Sequence, residues 1–167
     1  MKLIFVTGLE DVDKQTIVDL ALQRAGKKRD FEIIDFDKLG DTGELKEITD
    51  LEAIRHALSK FYGEVEKVMI TRMKETTNLV VSGCLTFETV HGYLRALPDE
   101  FFTSFKPDNM VILEKETRDE KANEHQRINR YYGVVFSSLC GAALRIIRFR
   151  EDRTLKAVEE LSKVMKY

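Results

Sequence analysis

The sequence predicts a three-layer α/β/α fold around a five-stranded, mostly parallel β-sheet, and two observations carry that prediction. Short apolar runs ended by polar or glycine residues recur along the chain, and segments with helical spacing of apolar residues lie between them. Strands separated by helices need crossover connections, which place helices on both faces of a parallel sheet. A length of 167 residues suits one core of useful size, so residues 1–167 are read as a single domain.

The elements follow in order. KLIFV at residues 2–6 is a buried strand ended by Thr7 and Gly8, and EIIDF at residues 32–36 is a second, after the solvated turn GKKRD. Between them Ile17, Leu20, Ala21 and Arg24 share a helical face, with Gly26 as the stop. Residues 37–47 are polar, contain Gly40 and Gly43, and read as a loop. Leu51, Ile54, Leu58 and Phe61, then Val65, Val68, Met69 and Met73, follow helical spacing on either side of Gly63. That pattern fits two helices or one broken helix. LVVSG from Leu79 is the third strand and MVILE from Met110 the fourth, preceded by Pro107 and Asp108. Ile128, Tyr132, Val135 and Leu139 mark a helix, LRII from Leu144 the fifth strand, and Leu155, Val158, Leu161 and Met165 a closing helix. No internal repeat or low-complexity tract is present.

Composition narrows the functional classes. Apolar residues make up 43% and charged residues 34%, which suits a globular protein. A net charge of -2 supplies no general attraction to nucleic acid or to an anionic membrane. The apolar runs fall far short of the ~20 residues that span a bilayer, and no targeting segment is visible, so a cytoplasmic protein is expected. Cys84 and Cys140 are too few for a disulfide framework or a zinc site and are read as small buried residues.

The chemically suggestive stretch is TGLEDVDKQT at residues 7–16. In the P-loop pattern G-x-x-x-x-G-K-[ST], backbone N–H groups and a helix N-terminus hold phosphate, the lysine reaches the outer phosphates, and the hydroxyl binds magnesium. Gly8 and Lys14 match, with the right strand-to-helix context, but Asp13 stands at the second glycine and Gln15 at the hydroxyl. Thr16 comes one residue late, which on a helix turns it by about 100°. The Asp13 carboxylate sits where an anion would lie. Two negative charges about 4 Å apart repel by about 4 kcal/mol at an effective dielectric near 20, and Glu10 and Asp11 add to that repulsion. The plainer role for Asp13 is an N-cap, with Lys14 paired to a neighbouring carboxylate.

The chain resembles the archaeal type of adenylate kinase, a P-loop nucleoside monophosphate kinase. The resemblance rests on KLIFVTGLEDVDKQTIV, on GYLRALP at residues 92–98, on EHQRINR at residues 124–130, and on SSLCGAALRII with the RED that follows. It covers most of the chain. It implies a P-loop kinase-like fold with a five-stranded parallel sheet, ATP on the loop, AMP between helices, magnesium, and often a trimer. By position it makes Gly8, Asp13, Lys14, Gln15 and Thr16 the cofactor-binding residues, and Lys14, Arg118 and Arg127 the catalytic ones. Mg-ATP is then the implied cofactor if the ancestral site survives, and adenine nucleotide the implied ligand. No metal ligand can be named.

The departures concern charge. Ser82 stands for the family's acid after the third strand and Cys84 for the histidine beyond it. Leu51 and Glu52 lie near an expected phosphate-binding arginine, with Arg55 in another register. Where the family continues into an arginine-rich lid, this chain has only KETRDEKAN, a shortened lid. Such losses remove the groups that neutralise phosphate and exclude water. One expectation is a binding or regulatory relative with weak or no phosphotransfer. The other is an active ATP:AMP phosphotransferase in which Lys14 is helped by arginines from another subunit.

Asp35 and Asp37, with Asp11 and Asp13, form either an acidic mouth for a cation or a partner's basic side chain, or solvated carboxylates paired with Lys14 and Lys38. His56, His91 and His125 lack metal-ligand spacing and are read as structural. Ser82 has no elbow or histidine partner, which argues against a hydrolase. Tyr93, Tyr131, Tyr132 and Phe136 are read as core rather than as base-stacking residues. Arg145, Arg148 and Arg150 are followed by Glu151 and Asp152, so no nucleic-acid site is expected.

Overall fold

The computed structural model describes residues 1–40, 42–75 and 78–167. Asp41, inside the segment read as a loop, lies outside the described residues. In chain order the elements are β1 (Lys2–Thr7), α1 (Lys14–Ala25), β2 (Glu32–Asp35), α2 (Leu51–Glu75), β3 (Asn78–Gly83), β4 (Thr86–Thr89), β5 (Gly92–Arg95), α3 (Asp99–Phe105), β6 (Asn109–Lys115), α4 (Glu120–Cys140), β7 (Ala143–Phe149) and α5 (Thr154–Lys166). Short 3₁₀ turns occupy Phe36–Lys38, Gly43–Lys46 and Glu151–Arg153.

Five strands form one parallel sheet in the order β2-β3-β1-β6-β7. The apolar runs explain their places. Strands β1, β3 and β6 are buried almost end to end and lie centrally, whereas β2 and β7 bury fewer positions and take the edges. Leu3, Phe5, Leu79 and Val81 face a core shared with α2, α3 and α4. Ile4, Val6, Val80 and Val111 face the opposite core, shared with α1 and α5. Gly26 ends α1 as expected, at φ 69° with its N–H on the Gln23 and Leu22 carbonyls.

Three features differ from the sequence expectation. Helix α2 runs unbroken through Gly63, where a side chain would meet open space. One glycine costs a long helix about 1 kcal/mol, too little to break it. An antiparallel hairpin, β4 with β5, follows β3. Its strands are four residues each and carry no continuous apolar run, so periodicity does not reveal them. Helix α3 inserts Phe101 and Phe102 into the core, with ring centroids 5.8 and 5.9 Å from Phe5.

The α4 face also differs. Val135, Leu139 and Tyr131 are exposed, while Gln126, Asn129, Gly133, Phe136 and Ser137 are buried. Gly133 is the reason: a Cβ there would overlap Ile112 Cδ1, so the helix lies close on β6 through its small and amide residues. In the closing helix Leu155 is likewise exposed, although Val158, Leu161 and Met165 are buried as the spacing suggests.

Candidate functional site at the strand ends

The carboxyl ends of β1, β2, β3 and β6 bring together residues 7–13, 35–37, 82–86 and Lys115. This is the edge at which open α/β sheets carry ligands.

The loop after β1 is closed by its own hydrogen bonds. Val12 N–H donates to the Leu9 carbonyl at 3.0 Å, and Lys14 N–H to the Val12 carbonyl at 2.9 Å. Asp13, at φ -77° and ψ 76°, is the centre of that second, inverse-γ turn. Its carboxylate caps α1, accepting from Thr16 N–H at 3.2 Å and from the Thr16 hydroxyl at 2.7 Å. These bonds hold the Asp13 carboxyl below its usual pKa. Gly8 is buried, with the Leu113 carbonyl 3.1 Å from where a Cβ would stand.

Lys14 is 4% exposed and turned back under the loop. Its ammonium donates to the carbonyls of Gly8 at 3.1 Å and Leu9 at 2.9 Å, and pairs with Asp37 Oδ2 at 3.1 Å. The Cys84 thiol lies 3.9 Å away, and burial pushes it up to about 12. Asp37 Oδ1 also accepts from Cys84 N–H at 3.0 Å. Asp37 thus has the lysine partner that the solvated reading expected for it. Asp35 makes no ion pair among the described residues; it accepts the Asp37 N–H, and its carboxyl is raised by burial and then by Asp37. The hydroxyls of Thr7 and Ser82, at the ends of β1 and β3, are buried with no partner among the described residues.

Beside the loop lies a cavity of 230 Å³, small against the ~300–1,000 Å³ of ordinary ligand pockets. Leu9, Cys84 and Phe87 contribute its apolar lining. A chain of charges crosses its mouth: Lys46 lies 3.7 Å from Glu10 and 4.0 Å from Glu88, and Lys121 lies 2.7 Å from Glu88. Asp11 pairs separately with Lys115 at 2.9 Å. His125 lines the wall, with Nε2 2.9 Å from the Thr86 hydroxyl, which donates to Asn129 Oδ1 at 3.2 Å. Burial holds the His125 ring below its usual pKa. Lys46, Glu88 and Lys121 come from three separate elements, and no sequence spacing links them.

Arg118 and Arg127 are exposed and are not among the residues lining this cavity. Gln15 is partly exposed and Thr16 exposed. A different arginine makes a bidentate ion pair: the partly buried Arg130 grips the buried Glu114 through two bonds, at 2.7 and 2.5 Å. One turn earlier Gln126 receives the Lys115 N–H at 2.7 Å and donates to its carbonyl at 3.0 Å. Together they fasten the start of α4 to the end of β6, which residues 116–119 join directly.

No family model matches the chain. It is 30% identical to the adenylate kinase of Pyrococcus horikoshii over 190 aligned positions, covering 97% of this chain and 94% of that protein. The adenylate kinase of Pyrococcus furiosus matches at 30% with the same coverage. The chain belongs to the adenylate kinase family. A third member, from Methanocaldococcus jannaschii, is 27% identical over 191 positions and 99% of this chain. These alignments are longer than the 167-residue chain, so the three kinases carry segments that it lacks. The α/β fold with a five-stranded parallel sheet agrees with this membership. No helix among the described residues is long and apolar enough to cross a membrane.

Proposed function

We propose that this adenylate kinase relative binds adenine nucleotide weakly, has weak or no phosphotransfer, and acts as a binding or regulatory protein. The saturation of Lys14 carries this reading. An ammonium has three donors, and those of Lys14 meet Gly8 O, Leu9 O and Asp37. Reaching a phosphate means surrendering all or most of these contacts. The loop amides support the same reading, because Asp13 already provides an anion at the α1 N-terminus and the Lys14 amide is spent on Val12.

The residues present do not fit magnesium-bound ATP. Gln15 and Ser82 stand at the two magnesium positions that the resemblance implies, and no cluster of three His, Cys, Asp or Glu among the described residues could hold a metal. No phosphoryl-transfer step is assigned to this site. The rival reading, an active ATP:AMP phosphotransferase, draws support from Arg118 and Arg127. Both are exposed and make no ion pair among the described residues.

Calorimetry with ATP and magnesium is expected to give a Kd weaker than about 0.1 mM, equivalent to about 5.5 kcal/mol. A coupled assay with ATP and AMP is expected to detect little or no turnover. Micromolar affinity, or turnover abolished by Lys14→Ala, sinks the proposal. The Asp13→Gly, Gln15→Thr double variant is expected to tighten ATP binding by about tenfold or more, since it removes the internal anion and restores the hydroxyl.

A further inference from the structure

A second groove runs along β2 and reaches its carboxyl end. It has a volume of 650 Å³ and is walled by Asp19 and Leu20 of α1 and by Val68 and Arg72 of α2, with Ile33 and Asp35 of β2 between them. Helices α1 and α2 pack on opposite faces of the sheet. A groove touched by both therefore opens over the sheet edge, and β2 is the terminal strand there. An edge strand presents backbone N–H and C=O groups that no neighbouring strand pairs, which is a template for an incoming strand.

The side chains specify what kind of strand would fit. Leu20 remains 37% exposed and Ile33 partly buried, so apolar surface flanks the edge. Asp35 is partly buried without an ion pair among the described residues. Lys14 and Lys38 act on it only at a distance, and Lys14 is committed to Asp37. Burial raises its carboxyl, the signature of a charge still lacking a close counterpart. Among the acidic residues of the lining, Asp19 pairs with Lys28 and Glu32 with Arg72 at 2.9 Å, whereas Asp35 makes no ion pair among the described residues. Because strand side chains alternate, a peptide can turn its basic residues to the α1 face, towards Asp35, and its apolar residues to the α2 face, beside Val68.

We propose that this groove takes an extended peptide from a partner protein, which adds as a sixth strand along β2 and pairs a lysine or arginine with Asp35. Backbone bonds supply the affinity of such strand addition, and the alternating side chains its specificity. The groove adjoins the candidate nucleotide loop through Gln15 and Thr16, but the proposal does not rest on the reading given to that loop.

The test is an amide-resolved NMR titration of the full chain with an acetylated heptapeptide of alternating lysine and valine, beside its glutamate-valine counterpart. The lysine peptide is expected to bind at least about tenfold more tightly, with shifts concentrated at Leu20, residues 32–35 and Val68. Asp35→Asn retains the bond to the Asp37 amide and is expected to weaken binding about fivefold or more. Leu20→Lys, at an exposed position, is expected to do the same, and the remaining spectrum reports that each variant is folded. Equal affinity for the two peptides, no binding below roughly 1 mM, or shifts centred on the strand-end cavity overturn the proposal. So does sedimentation of the free protein as a dimer that Leu20→Lys dissociates, because a second copy would then occupy this edge.

Discussion

Lys14 joins three parts of the chain: the β1 loop through two carbonyls, the end of β2 through Asp37, and the start of α1 by its own position. Its removal would leave Asp37 without its cation and two carbonyls without a donor. Lys14→Ala is therefore expected to cost about 1–3 kcal/mol in urea unfolding, because Asp37 is partly solvated and the full penalty for a buried pair does not apply. A change within about 0.5 kcal/mol would mean that the ammonium is dispensable for folding and free for a ligand. Asp35 gives a prediction of opposite character. Its raised pKa means that the native state holds the proton more tightly than the unfolded chain does. Its contribution to stability therefore falls as pH rises from the ordinary aspartate value through the raised one. Asp35→Asn escapes that loss, so its melting temperature should rise relative to the parent between about pH 3 and pH 7. Asp13, Glu88 and Glu160 have lowered pKa values and lose stabilisation on acidification instead, but both proteins share them and the difference between the two curves isolates position 35. An unchanged difference across that range would contradict the assignment.

At the scale of elements, the apolar spacing of α2 was legible on both sides of Gly63, and its continuity was not. A glycine reads as a break until the packing on either side is seen to hold one axis. Since a Cβ at Gly63 meets nothing within 4 Å, Gly63→Ala is expected to stabilise the protein by about 0.5–1 kcal/mol in thermal or urea unfolding. Destabilisation would place a real break there. The β4–β5 hairpin and α3 were missed for a different reason. GYLRALP was noticed as a motif, but the short hairpin strands and DEFFTSF become regular structure through tertiary contact: Phe101 and Phe102 pack on Phe5, and the Ala96 amide donates to the Leu85 carbonyl at 2.8 Å. Helix α4 reverses the usual pattern, with valine outside and glutamine inside, because Gln126 replaces a strand partner for Lys115. No hydropathy rule reads such a face.

On the scale of the whole molecule, two cores share one sheet. Phe5 and Val81 face one and Val6 and Val80 the other, so strands β1 and β3 cannot leave one core while the other stays intact. Residues 1–167 are therefore expected to unfold as a single unit. Far-ultraviolet and near-ultraviolet circular dichroism should give coincident urea transitions, and two separated transitions would divide the chain into independent domains.

The sequence by itself determined the five-stranded parallel sheet and the strand–loop–helix opening, because those features are written in local periodicity and in Gly8, Lys14 and their spacing, whereas EIIDF, read as a buried strand, lies at the sheet edge with one of its four strand residues buried. It also exposed the acidic residues that depart from the phosphate-loop pattern. Only the tertiary structure decided where the charges go. Lys14 turns to Asp37 rather than outwards, Lys46 and Lys121 converge on Glu88, and Asp35 faces a groove at the sheet edge without an ion pair among the described residues. The physical reason is range. Periodicity acts over a few residues along one element, whereas an ion pair forms between whichever side chains the finished fold brings within about 4 Å.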